Sequence, residues 1–288
     1  MSRSHLRAIT ASQSDVGRVR SANQDEVREF AREGGARLLV VADGMGGHAG
    51  GEVASATCVE AIGDYFAQAD EDPAALLRHA FEAANERVYR QGNEDPALFG
   101  MGTTAVAALV EGPERAWIAH VGDSRAYRLH DGRLEQLTDD HSWVQEQVRL
   151  ARLTPEEAEV HPRRNALMRS IGVDSQVEVD VRCVDLRPEN QLLLCSDGLW
   201  GEIDDQTISS VLASAPPEES ARRLVELANE AGGHDNVTVA VLALPASERP
   251  SAQPKRSPDA KPAGLHKLGL AVAVGLGVAL IAWLLFGR

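Results

Sequence analysis

Positive charge is scarce in this chain. Its 29 Lys and Arg stand against 43 Asp and Glu, a formal net charge of −14 over 288 residues. A nucleic-acid partner is therefore not expected, because phosphate-backbone contact needs clustered Lys and Arg. An acidic chain can still take hold of phosphate through bound cations. Cysteine is sparse as well: Cys58, Cys183 and Cys195 sit in apolar stretches with no CxxC or Cys/His spacing. That excludes a disulfide framework or a zinc site and predicts three buried, reduced thiols in a reducing compartment. The stretch Met1–Thr10 is polar and basic, without the apolar run of a secretory signal, so none is expected.

What is present divides the chain into three parts. With 43% hydrophobic residues, positions 1–245 are long enough for one large domain with a full core. Residues 246–267 are rich in Pro, Ser, Ala and Lys, lack hydrophobic periodicity and read as a flexible linker. Residues 268–286 (LGLAVAVGLGVALIAWLLF) carry no charge. As a helix they would extend about 28 Å, close to the ~30 Å hydrocarbon thickness of a bilayer. One membrane crossing is expected there, with Trp283 suited to the interface. Lys255, Arg256, Lys261 and Lys267 precede the span and Arg288 follows it, which directs the N-terminal side to the cytoplasm.

Within 1–245, short runs rich in Val, Leu and Ile predict strands at Leu38–Ala42, Thr104–Val110, Ala116–Val121, Ala126–Leu129, Val177–Val184, Gln191–Cys195 and Val237–Leu244. Helical spacing of apolar residues predicts helices at Gly51–Ala69, Pro73–Gln91 and Glu218–Ala231. Asp131-Gly132 marks a hairpin turn. Strands come in adjacent groups rather than in strict alternation with helices, so the expected class is α+β, with antiparallel sheets and helices packed outside them.

Aspartates fall at the ends of these strands. Asp43 follows Leu38–Ala42 and opens Asp43-Gly44-Met45-Gly46-Gly47-His48; Asp197 follows Cys195 in Ser196-Asp197-Gly198; Asp235 precedes Val237 in His234-Asp235-Asn236. The glycines beside them let the backbone turn tightly and approach closely. Acids gathered at neighbouring strand ends stay ionised together only if a cation neutralises them, and hard oxygen ligands suit Mg²⁺ or Mn²⁺ rather than zinc. Taken singly, an isolated Asp-Gly reads first as an Asx-turn or a helix cap.

Taken together they resemble, in order and setting, the motifs of the metal-dependent protein phosphatase family, type 2C, in its bacterial form, over residues 5–243 or so. The stretch Asp15-Val16-Gly17-Arg18-Val19-Arg20-Ser21-Ala22-Asn23-Gln24-Asp25 is similar to its first motif, and Asp43-Gly44-Met45-Gly46-Gly47-His48 to its second. Gly102-Thr103-Thr104, Val121-Gly122-Asp123-Ser124-Arg125, Leu137-Thr138-Asp139-Asp140-His141-Ser142 and His161-Pro162-Arg163-Arg164-Asn165 follow in family order. Ser196-Asp197-Gly198-Leu199-Trp200 and Asp235-Asn236-Val237-Thr238 complete the series.

The resemblance implies a four-layer α/β/β/α sandwich of two antiparallel sheets, and roles for the matching residues. Asp43 would bridge two divalent ions, Mn²⁺ or Mg²⁺; Asp197 and Asp235 would complete the first, and the Gly44 carbonyl would reach the second. Asp25 would hold waters on the second ion, Asp123 with Asp197 would form a weaker third site, and Arg20 would bind the substrate phosphate through its paired N–H groups. The implied reaction is hydrolysis of phosphoserine and phosphothreonine in phosphorylated proteins by water activated between two ions, with no protein nucleophile. A membrane-bound serine/threonine kinase is the implied partner.

Two positions depart from many eukaryotic members. Gln24 replaces an acid directly before Asp25, which predicts more water and fewer protein ligands on the second ion. Met45 stands where those members carry a histidine proposed as general acid. His48 is shifted from that place and reads equally as a proton donor or a core histidine. Residues 144–172 resemble the flap beside the active site of bacterial members, although their charged run reads equally as a solvated helical face. The rival function is a catalytically weak phosphoprotein-binding regulator of the same fold; the presence of every expected aspartate weighs against it.

Overall fold

The computed structural model describes residues 8–112 and 114–244, apart from the side chains of His48 and Ala49. In chain order the elements begin with β1 (Ile9–Asp15), β2 (Asp25–Ala31), β3 (Arg37–Met45), α1 (Gly47–Gln68) and α2 (Pro73–Glu94). The strands β4 (Gly102–Thr103), β5 (Ala105–Val110), β6 (Arg115–Val121), β7 (Arg125–His130) and β8 (Arg133–Gln136) follow, then α3 (Trp143–Arg149) and α4 (Pro155–Glu159). The last group is β9 (Asp180–Asp185), β10 (Gln191–Cys195), α5 (Asp197–Trp200), α6 (Asp205–Ser214), α7 (Pro217–Ala231) and β11 (Val237–Ala243).

Two antiparallel sheets result, one ordered β1-β11-β10-β7-β8 and the other β2-β3-β5-β6-β9, with β4 paired to the end of β3. Side chains alternate across each strand, and here both faces are covered. On β3, Leu38, Val40 and Ala42 face Ile62, Phe66, Leu77 and Phe81 of α1 and α2. Leu39 and Val41 instead join Leu192, Leu194, Ala240 and Leu242 of the other sheet in the central layer. The far face of that second sheet, Leu193, Cys195, Val239 and Val241, packs on Ile208, Leu212, Leu224 and Ala228 of α6 and α7. These three apolar layers make the expected α/β/β/α sandwich.

Local chemistry fixes the element ends. Asp72 caps α2 by accepting from the Ala74 N–H, with Pro73 in the first turn. Thr154 and Glu157 form a reciprocal capping box on α4. Asp131 and Gly132 adopt φ values of 49° and 73° between paired His130 and Arg133, the two-residue turn that the right-handed twist of a hairpin favours.

Three expectations change. Cys58 and Cys195 are buried, but Cys183 is exposed, because it lies on β9, the edge strand of its sheet. The strand expected at Val177–Val184 starts only at Asp180, where pairing with His120 begins. Strands β1 and β2 were not expected: both are sheet edges whose polar, half-exposed residues hide the strand pattern. No helix among the described residues is long and apolar enough to cross a membrane. The linker 246–267 and the span 268–286 lie outside those residues.

Candidate active site

Pairing register carries the acids to one end of the sandwich. Asp25, the first residue of β2, lies directly opposite Asp43 near the end of β3. Asp197 leaves β10 and Asp235 enters β11 at the same end of that antiparallel pair, and Asp123 follows β6 in a turn. Asp25 and Asp123 are buried, while Asp43, Asp197 and Asp235 are partly open to solvent.

The backbone around these acids is held by short polar side chains. Thr103 Oγ1 and the Thr104 N–H donate to the Asp43 carbonyl at 2.8 and 2.9 Å. Thr104 Oγ1 also accepts from the Asp43 N–H and lies 2.7 Å from Ser124 Oγ, which ties β3 to the turn of Asp123. Ser196 Oγ donates to Asp25 Oδ2 at 2.7 Å and accepts from the Thr238 N–H. Asn236 staples the loop between β1 and β2: its Nδ2 donates to the Val16 and Ala22 carbonyls, and its Oδ1 accepts from the Gln24 N–H. Gly44 passes so close to α1 that a Cβ there would stand 2.0 Å from the Gly51 carbonyl oxygen.

One cation reaches into the group. Arg20 Nη2 donates to Asp235 Oδ2 at 2.7 Å, and Asp235, Asp197 and Asp43 together raise the guanidinium pKa. Burial, then neighbouring acids, move the carboxyls upward. Asp25 is raised to about 7 by burial, with Asp197 and Asp235 adding to it. Asp123 is raised to about 8 by burial, Asp197 and Asp140. Asp197 is raised to about 6 by burial and Asp235, against a hydrogen bond with Asp43 that lowers it. Asp43 is raised well above the carboxylate range by burial and the other four acids. Asp25 Oδ1 and Asp197 Oδ1 are buried without a hydrogen-bond partner. Partnerless carboxylate oxygens aimed among other acids are what a hard divalent cation satisfies, so the donor set fits Mn²⁺ or Mg²⁺.

A type 2C protein phosphatase model, described as "Protein phosphatase 2C", matches residues 17–237. The chain belongs to the protein phosphatase 2C family. Among its relatives, the serine/threonine protein phosphatase PstP of Mycobacterium tuberculosis is 45% identical over 235 residues, covering 80% of this chain and 44% of PstP. This phosphatase 2C chain thus spans less than half the length of that relative. The serine/threonine phosphatase stp of Listeria welshimeri is 38% identical over 234 residues, 79% of this chain and 92% of that protein. The crystal structure of the PstP catalytic domain in complex with two manganese ions superposes with a TM-score of 0.74 at 41% identity, covering 83% of this chain and 98% of that one.

The structure thus brings all six expected positions, Arg20, Asp25, Asp43, Asp123, Asp197 and Asp235, together with Gly44, to one end of this phosphatase 2C domain. Cys195 faces the α6–α7 core, where burial pushes its thiol far above the ordinary range, so it offers no nucleophile. Gln24 donates to the Gly47 carbonyl. Beyond the expected set stand Thr104, Ser196 and Asn236, small polar residues whose part shows only in the backbone groups and side chains they bind. A second group, His120, His141 and Asp180, brings ligand-type atoms within 4.8 Å of one another, the one such group of three among the described residues. The five acids are gathered more loosely.

Proposed function

We propose that this domain is a serine/threonine protein phosphatase that hydrolyses phosphoserine and phosphothreonine monoesters with Mn²⁺ or Mg²⁺ as cofactor. The carrying observation is the pair of buried, partnerless oxygens on Asp25 and Asp197 amid five acids and one arginine. Asp43, Asp197 and Asp235 would hold one ion, Asp43, the Gly44 carbonyl and water on Asp25 a second, and Asp123 with Asp197 a weaker third. Such ions, when bound, acidify water and neutralise charge on phosphoryl oxygens. The manganese of the PstP crystal structure supports this choice of metal.

The chain's own residues do the rest. Arg20 is half exposed and paired with Asp235, so its planar fork could exchange one carboxylate oxygen for two phosphate oxygens of an incoming phosphate. Cys195, sealed in the core, offers no cysteinyl phosphoenzyme, and water is the nucleophile in this reading. Ser196 and Asn236 fix Asp25 and the Arg20 loop, so the acids enter the reaction already placed. Membrane attachment through 268–286 would place the domain beside membrane-bound serine/threonine kinases and their phosphorylated substrates.

Titrating Mn²⁺ against hydrolysis of a phosphopeptide tests the reading. Activity should need the ion, and Asp43→Ala or Asp235→Ala should abolish it while circular dichroism stays native. Arg20→Ala should raise KM about tenfold, the worth of one charge-assisted hydrogen bond, with kcat little changed. Undiminished hydrolysis by Asp43→Ala in chelator would sink the metal mechanism.

A further inference from the structure

His141 sits where two parts of the domain meet. Its backbone N–H donates to the Gly122 carbonyl at 3.0 Å, and its ring Nδ1 accepts from the Gly122 N–H at 3.1 Å. Both backbone groups of Gly122 are therefore taken by one residue. Gly122 adopts φ +102°, and a Cβ there would stand 2.6 Å from the Thr104 side chain, so the turn into Asp123 has no other backbone to use. On its other side, the His141 carbonyl accepts from the Met168 N–H at 2.7 Å, and Ser142 bridges Leu167. These close the base of the α3–α4 segment. The Trp200 indole N–H holds the Asp123 carbonyl at 3.1 Å, which completes the frame around the acid.

The ring itself is buried, with a side chain only 3% exposed, and its Nε2 has no hydrogen-bond partner. Asp180 Oδ2 lies 3.4 Å from Nε2, the His120 ring stacks on the His141 ring at 4.5 Å between centroids, and Asp180 is held by Arg169 Nη1 at 2.8 Å. A metal ion shared by His120, His141 and Asp180 is opposed by this arrangement. Because Nδ1 already accepts an N–H, the neutral ring carries its proton on Nε2, the atom that would have to ligate. Arg169 adds a positive charge on the one carboxylate. Burial and the neighbouring His120 and Arg169 also hold the His141 pKa down to about 4, in keeping with a neutral ring that accepts at Nδ1.

We propose that His141 is a positioning residue for Asp123: it clamps the Gly122 turn with its ring and main chain, and locks that turn to the base of the α3–α4 segment. The role in turnover rests on the phosphatase reading, in which Asp123 serves a weaker third ion; the clamp itself does not. His141→Asn keeps an acceptor near the place of Nδ1, whereas His141→Leu removes it.

The test uses the full chain in detergent micelles. In metal-free, histidine-¹⁵N-labelled wild type, the ring should show an unprotonated Nδ1 and a protonated Nε2. Amide exchange at Gly122, read by mass spectrometry, should be slow in wild type and in His141→Asn but at least about tenfold faster in His141→Leu, the worth of one lost hydrogen bond. With Mn²⁺ and a small aryl phosphate, His141→Leu should lose about tenfold in kcat with KM little changed and need more Mn²⁺ for half activity, and the Asn variant should recover most of both. A protonated Nδ1 overturns the clamp, as does unchanged Gly122 exchange in the Leu variant. An Asn variant as impaired as the Leu variant overturns the positioning role, as does wild-type turnover in the Leu variant. If the Leu variant does not fold, the ring nitrogens of wild type and the Gly122 exchange and turnover of the Asn variant decide. A wild type with no metal-dependent hydrolysis overturns the phosphatase reading, while the ring and exchange readings still judge the clamp.

Discussion

Burial and neighbouring acids raise the carboxyls of Asp25, Asp43, Asp123 and Asp197 above the usual carboxylate range, and that makes the metal-free domain pH-sensitive in a defined direction. An unfolded aspartate titrates near 3.9. In the folded chain Asp197, Asp25 and Asp123 are raised to about 6, 7 and 8, chiefly by burial. Between the unfolded and folded values the native state keeps protons that the unfolded chain has released, so their stabilising share is present at low pH and is lost as pH rises through 6 to 8. His120 and His141 are held low by burial and act in the opposite sense, but that contribution is complete by the unfolded value of about 6.5. In chelator, the melting temperature should therefore fall between about pH 6.5 and 8.5. Mn²⁺ should restore it, and by more at the upper pH, where its ligands are already deprotonated. A melting temperature that climbs across that window in chelator would contradict the carboxyl assignments. At this scale the sequence was half legible. Acids announce themselves by ending apolar runs, as Asp43 and Asp197 do. Asn236 and His141 do not, because what they bind is backbone: Asn236 reaches the Val16 and Ala22 carbonyls, more than 200 positions away.

Elements place those residues through contacts that leave no room for error, and the seam between β3 and α1 is the clearest. A Cβ on Gly44 would lie 2.0 Å from the Gly51 carbonyl oxygen and 2.7 Å from the Gln24 carbonyl oxygen. Both obstacles are main chain, so no side chain can swing aside, and α1 or β2 would have to move off β3. Gly44→Ala should thus cost at least about 3 kcal/mol, the upper end of ordinary overpacking, read as a lowered urea midpoint at unchanged slope. A shift below about 1 kcal/mol would mean that the seam yields easily. The same packing explains which elements the sequence revealed. Strands β3, β5, β10 and β11 are buried on both faces and read as apolar runs, and α2 and α7 show their buried residues at helical spacing. The edge strands β1 and β2 bury little and take their conformation from pairing with β11 and β3. Cys183 was misread for the same reason, since a strand at the sheet edge can leave an apolar residue uncovered.

For the whole molecule, the decisive quantity is where the active site can travel. The acidic chain as a whole, at −14, has no general electrostatic attraction to anionic lipid or phosphoprotein surfaces, so any encounter with membrane-bound substrates would have to be arranged in another way. The uncharged run 268–286 has the length of one bilayer crossing, and four of the five Lys and Arg flanking it closely lie on the domain side. If 268–286 crosses a bilayer, a linker of about 22 residues, with a root-mean-square reach of roughly 25 Å, would confine the active site to a thin shell over the cytoplasmic face and would raise the local concentration of membrane-bound phosphoproteins. Full-length protein should accordingly sediment with membranes and resist extraction by high salt, because apolar burial rather than charge retains it. Protease added outside intact spheroplasts should leave the phosphatase domain whole. A version ending at Pro245 should be soluble and retain full turnover on a small aryl phosphate, while losing its advantage on membrane-bound substrates. Recovery of the full-length protein in the soluble fraction, or digestion of the domain from outside, would refute the anchored topology and leave the catalytic assignments standing.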